Sequence, residues 1–202
     1  VDGENSKVVI PFSSTDLGST FTISAWTYLA PGATNGSNRF QAFESSDTGV
    51  YDVSWGTAGN YSTTGRNDYL GYVETTNTGT ATSNLFDEEE WDHVLMTYDT
   101  SGANPTLSLY LNGSTTAISV TDTSGTFNFS SLNFGGSRDG GGEREWDGMI
   151  DEVALWTRDL TAAERTQVYQ NGLNGLAVTV PEPSSTAHLG LCGLALILRR
   201  RK

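Results

Sequence analysis

Apolar and polar residues alternate with a period of two through most of this chain. In TFTISAWTYLA (20–30), Phe21, Ile23 and Ala25 fall on one face and Thr22, Ser24 and Trp26 on the other, as in a strand with one buried side. WDHVLMTYDT (91–100) sets Val94, Met96 and Tyr98 together. TLSLYLNG (106–113) aligns Leu107, Leu109 and Leu111 before Asn112-Gly113, a strong hairpin signal. Shorter segments of the same kind lie at 8–12, 40–44, 50–55, 69–75, 117–121, 132–135 and Gly148–Trp156. Roughly ten short strands at this spacing predict an antiparallel two-sheet sandwich or a barrel, not a parallel α/β sheet.

One segment breaks the period. LTAAERTQVYQNG predicts a helix on the edge of the sandwich. Thr161 is its N-cap, and Glu164 completes a capping box by reaching back to the cap's N–H. Val168 and Tyr169 can pack inward, and Gly172 suits the left-handed stop. A second break falls inside the last strand. Trp146, Gly148 and Ile150 share one parity while Val153 and Leu155 take the other. The phase slips at Asp151-Glu152, as a β-bulge does, and bulges re-aim side chains at rims and sites.

Composition narrows this picture. A chain of 202 residues with 36% hydrophobic residues fills one core, not two. Removing the four terminal cations and Glu182 leaves 7 basic against 23 acidic residues, a charge of −16 on residues 1–180. Such a surface repels phosphate backbones and excludes nucleic acid as a partner, while it suits divalent cations or neutral sugars. The lone cysteine, Cys192, lies in the tail, so the folded part has neither a disulfide nor a thiolate metal site. The chain opens at Val1 in a strand-leading segment without an initiator Met, from which a missing upstream part is expected.

The stretches FTISAWTYLAPG, WDHVLMTYD, LSLYLNG, LNFGGSRDGGGE and WDGMIDEVALWTRDLTAAE occur in that order. Together they resemble the laminin-G-like (concanavalin A-like) jelly-roll domain over nearly all of residues 1–175. The resemblance implies an all-β, two-sheet antiparallel jelly-roll sandwich, commonly with calcium, used for binding sugars or proteins rather than for catalysis. Jelly rolls of this kind often run their first and last strands side by side, which would bring Asp2 near Asp151. Asp2, Asn5 and the carbonyls around Gly3 then join Asp151 as candidate Ca²⁺ ligands, the hard oxygen donors that ion takes. The alternatives stay open at this point: a frayed terminus, and an Asp151 that caps neighbouring backbone N–H groups.

A sugar would be met by aromatic faces. Trp55, Tyr61, Tyr69 and Tyr72 lie in or beside the Gly/Ser/Thr/Asn-rich stretch 46–78. Asn60, Asn67 and Asp68 stand ready for hydroxyls, and Asp139 in the glycine-rich GGSRDGGGE joins these ligand-binding candidates. Half-buried packing rings explain the same pattern. Glu143, Glu145 and Asp147 share a face if extended, as a metal site or a solvated rim of repelling carboxylates. His93 is expected on the sheet surface or at a strand end. The same fold hosts glucanases, whose paired acids stand about 5–5.5 Å apart. Here Asp151 and Glu152 are adjacent and would ordinarily point to opposite faces. A glycoside hydrolase, or an accessory module of an upstream enzyme, is the alternative; a non-catalytic binding or adhesion module is the expectation.

The chain closes with VPEPSSTAHLGLCGLALILRRRK. Residues 176–185 read as a linker and 186–202 as a short apolar helix with a basic end. The apolar run, 186–198, makes a helix of about 20 Å, short of a hydrocarbon core of roughly 30 Å. Arg199, Arg200, Arg201 and Lys202 would stay cytoplasmic as a membrane stop. Pro181-Glu182-Pro183, the apolar run and the basic end are similar to the PEP-CTERM sorting signal of Gram-negative bacteria. That resemblance implies export, transient membrane association, recognition by an exosortase-type membrane protease, and delivery to the cell envelope, surface or matrix.

Overall fold

The computed structural model describes residues 7–31, 41–46, 54–57, 69–73, 78–82, 88–99, 101–103, 106–122, 129–136 and 146–178. In chain order its elements are β1 (Val8–Ile10), α1 (Ser14–Leu17), β2 (Thr20–Leu29), β3 (Gln41–Ser46), β4 (Ser54–Thr57), β5 (Tyr69–Val73), β6 (Thr78–Thr82), β7 (Trp91–Asp99), β8 (Thr106–Leu111), β9 (Ser119–Asp122), β10 (Ser131–Phe134), β11 (Gly148–Trp156) and α2 (Ala162–Leu173). The strands form a six-stranded sheet, β1-β10-β3-β4-β5-β6, and a five-stranded sheet, β11-β2-β7-β8-β9. Every strand pair is antiparallel. Of the two architectures that the alternation predicts, a sandwich or a barrel, this is the two-sheet sandwich. The sequence pattern misses α1, whose single turn is too short to show a period, and β6 (TGTAT), which has no large apolar residue to alternate.

The core fills the space between the sheets with the faces read from the sequence. Phe21, Ile23 and Ala25 of β2, Val94, Met96 and Tyr98 of β7, and Leu107, Leu109 and Leu111 of β8 form one buried cluster. The six-stranded sheet answers with Phe43, Leu132 and Phe134. Ring pairs tie it together: Phe21 and Tyr98 at 5.4 Å, Phe43 and Phe134 at 5.0 Å. Trp146 is fully buried and donates its indole N–H to Tyr28 O at 3.1 Å, so its polar atom is satisfied at no cost to packing.

The outer face of the five-stranded sheet is not uniformly polar. It presents Leu95, Tyr110 and Trp156, and α2 lies across it with Val168 and the preceding Leu160 to make a second apolar cluster. The helix therefore covers a sheet face rather than standing on the sandwich's edge. Its capping box forms as expected: Glu164 N donates to Thr161 Oγ1 at 3.3 Å, and Thr161 N donates to Glu164 Oε2 at 2.8 Å. Arg158 holds the same carboxylate with both terminal nitrogens, at 2.9 and 2.7 Å, and this bonding keeps Glu164 down at about 2. The left-handed stop is Gly175, with φ +63°, and Gly172 is an interior helical residue.

First and last strands are not hydrogen-bonded neighbours. β1 pairs with β10 at one rim of the six-stranded sheet, while β11 edges the other sheet beside β2. They meet across the open flank, where Val8, Ile10, Ile150 and Val153 help line an apolar depression of about 260 Å³. Asn112 and Gly113 both take positive φ, as a tight turn requires. Pairing with β9 nevertheless resumes only at Ser119 opposite Leu109. Among the described residues no helix is long and apolar enough to cross a membrane.

Candidate functional site

Register on the outer face of the five-stranded sheet sets Asp151 of β11, Trp26 of β2 and His93 of β7 in one rung. Asn112 extends it. Asn112 N donates to His93 O, and His93 N donates to Asn112 Oδ1, both at 2.9 Å. Asn112 Nδ2 donates to Asp92 Oδ1 at 2.7 Å. These bonds tie the turn after β8 to the start of β7.

His93 is 2% exposed instead of lying on the open surface, because the rings of Trp26 (5.2 Å) and Tyr169 (5.6 Å) close over it. Its Nε2 lies 2.8 Å from Ser24 Oγ. Burial pushes the imidazole down to about 4, so it stays neutral at pH 7. It is a packing residue with one satisfied polar contact. Trp26 stacks on Tyr169 at 5.6 Å and 16°. The helix approaches this ring so closely that a Cβ at Gly172 would lie 2.2 Å from Trp26 Nε1, which is why a glycine sits inside α2.

The bulge anticipated at Asp151-Glu152 is present. β11 takes three steps, Asp151 to Ala154, while β2 takes two, Trp26 to Ser24. Glu152 absorbs the extra residue with φ +49°, a left-handed conformation that costs a side-chain-bearing residue about 1–2 kcal/mol. Glu152 N donates to Asp151 Oδ1 at 2.8 Å, the capping role open to that aspartate. The bulge also brings both acids to one place. Asp151 and Glu152, with Trp26, Trp91, Gly172, Leu173 and Gly175, line a depression of about 370 Å³ between the bulge and the end of α2. Trp91, 41% exposed, is braced by Tyr28 at 5.6 Å. Two polar atoms of this wall, Trp26 Nε1 and Glu152 Oε2, are buried without a hydrogen-bond partner.

Of the residues singled out from sequence, Asp151 is in this site. Asp2, Gly3, Asn5, Tyr61, Asp139, Glu143, Glu145, Pro181, Glu182, Pro183 and Arg199, Arg200, Arg201 and Lys202 lie outside the described residues. Trp55, Tyr69 and Tyr72 are placed by backbone only, in β4 and β5, with Trp55 opposite Gly71, Thr57 opposite Tyr69 and Ser54 opposite Tyr72. Asp147 is exposed at the entry to β11. Among the described residues no group of three or more His, Cys, Asp or Glu could hold a metal. Asp151 alone falls far short of the roughly six to eight oxygens calcium takes. The sequence reading overlooked Trp26 and Trp91 as site residues. Their signal was a tryptophan on the non-core parity of a strand, which a plain solvent face does not require.

A family model described as "Concanavalin A-like lectin/glucanases superfamily" matches residues 2–164. No curated protein sequence matches the chain. Among solved structures it is similar to a heptameric SAP-like pentraxin from Limulus polyphemus, at 15% identity and TM-score 0.54, over 75% of this chain and 70% of that one. It is also similar to the binding domain of botulinum neurotoxin serotype D, at 12% identity and TM-score 0.61, over 86% of this chain and 42% of that one. A third likeness is to Trypanosoma rangeli sialidase in complex with 2,3-difluorosialic acid, at 13% identity and TM-score 0.63, over 85% of this chain but 27% of the enzyme. Identities this low speak for the fold alone.

Proposed function

The chain belongs to the concanavalin A-like lectin/glucanases superfamily, and from that membership we propose that it is a non-catalytic binding module for a carbohydrate ligand. What supports this reading is the depression between the bulge and α2. It combines an exposed indole, Trp91, with hydrogen-bonding groups that the protein itself does not use. Aromatic rings beside a few convergent polar groups are the usual furniture of a ligand site. A surface protein is the other ligand class such a module takes. Titration of the protein with neutral polysaccharides, followed by calorimetry and affinity electrophoresis, tests the proposal, with saturable binding expected. Release of reducing sugar from β-glucan, laminarin or agar that disappears in Glu152→Gln would replace it with a glycoside hydrolase.

The tail belongs to the same proposal. A PEP-CTERM signal would deliver the module through the inner membrane to the envelope or matrix, with an exosortase-type protease as its processing partner. Calcium enters as a structural ion at Asp151 together with Asp2, Gly3 and Asn5. An unchanged melting temperature between EDTA and millimolar calcium would remove the ion from the proposal.

A further inference from the structure

The orphaned atoms at the bulge specify the chemistry of what fills the depression. Trp26 Nε1–H can only donate, and an ionised Glu152 carboxylate can only accept. Both belong to residues of one wall, and neither has a partner. A group serving both must accept and donate at once. A hydroxyl does this; an ammonium only donates, and a carboxylate or sulfate only accepts. The rest of the wall narrows the choice further. Trp91 and Leu173 offer apolar surface to C–H groups, while Asp151 adds negative charge and no cation is among the described residues that line the depression.

We infer that this depression is a subsite for an uncharged pyranose, one of whose hydroxyls bridges Trp26 Nε1 and Glu152 Oε2, accepting from the indole and donating to the carboxylate. The inference rests on the carbohydrate-binding reading and gives it an address. Trp91 takes the apolar face of the sugar ring. Glu152 turns about its side-chain torsions to admit the hydroxyl, since both atoms are closed to solvent before binding. The left-handed backbone of Glu152 and the missing side chain at Gly172 become parts of one device. The first places Glu152 on the wall of the depression, and the second lets α2 pack closely against the indole. Neither Trp26 nor Glu152 is a proposed calcium ligand, so the hydroxyl bridge itself needs no calcium.

The test uses the full chain and a panel of methyl glucopyranoside, galactopyranoside and mannopyranoside, with methyl glucuronide as the acidic control. The indole N–H signals are followed by nitrogen–proton correlation spectroscopy in EDTA. Trp26→Phe identifies the Trp26 signal by its disappearance. Glu152→Ala, at a surface bulge, supplies the second arm if Trp26→Phe does not fold. A neutral pyranoside is expected to move the Trp26 signal, and Glu152→Ala to weaken that sugar about tenfold or more. Sugar binding that leaves the Trp26 signal unmoved, or glucuronide binding as tight as its neutral counterpart, overturns the subsite while the binding-module reading stands. Failure of every pyranoside and neutral polysaccharide to bind overturns both.

Discussion

His93 shows how a single residue couples this fold to pH. Folded, it holds off its proton until about pH 4, because Trp26 and Tyr169 keep water from the ring. The unfolded chain takes that proton up near the ordinary histidine value of 6.5. Between those values the unfolded state binds more protons, so stability falls as pH falls, by up to about 3 kcal/mol from this group. Urea unfolding at pH 7 and pH 4.5 is expected to show the loss, and His93→Gln to flatten it. Glu164 acts in a separate, more acidic window. Its carboxyl is held down at about 2 chiefly by its Arg158 bonds, so the stability it contributes is lost only as pH falls from its ordinary 4.5 toward 2. Gly172 gives a second prediction at this scale. Alanine there gains about 1 kcal/mol of helix propensity. Its Cβ, however, meets Trp26 Nε1 at 2.2 Å, and the indole is pinned by its stack on Tyr169. Overpacking of this kind costs about 1–3 kcal/mol, so Gly172→Ala is expected to lower the melting temperature.

Two elements build the site, and each can be perturbed without touching the core. In β11 the bulge carries strain at Glu152. Glu152→Gly removes about 1–2 kcal/mol of left-handed cost and returns about half of it through the freer unfolded chain. The variant is expected to be slightly more stable in thermal melts and weaker in sugar binding, so that stability and function separate. In α2 the Thr161–Glu164 box secures the first turn. Thr161→Ala is expected to cost about 1 kcal/mol, with only a small change in sugar affinity. The far end of the helix, where it lines the depression, is held independently by the Trp26–Tyr169 stack. The period-two pattern made β2, β7 and β8 legible because each has one face in the core. The helix was legible through its cap. Its docking was not, since a capping box says where a helix starts and nothing about which sheet face it covers.

At the scale of the whole molecule, acidic sandwich and basic tail call for separate experiments. Sorting predicts a mature protein that ends near residues 181–185 and lacks Cys192. Intact-mass measurement on surface material from the native host checks this, and a mass that retains Arg199 through Lys202 would make the segment a plain anchor. For calcium, a site held at a hundredfold excess over its dissociation constant adds about 2.7 kcal/mol, which a melting experiment with and without EDTA reads directly.

Sequence by itself determined an all-β chain of short strands, the core faces of β2, β7 and β8, the phase slip in β11 and the cap of α2. Each is written in local periodicity or in residues three apart, so neighbours along the chain suffice to reveal it. Tertiary structure decided which residues meet. Trp26 and Gly172 are far apart in sequence and in contact in space; Asp151 and Trp26 share a rung only because β11 pairs with β2. The glycine read as a helix stop proved to be a contact surface, and the histidine read as a sheet-surface or strand-end residue proved to be buried. The physical reason is the same in both cases. A pattern records which side of an element is apolar, whereas burial, close approach and an unsatisfied N–H exist only once a second element is laid against it.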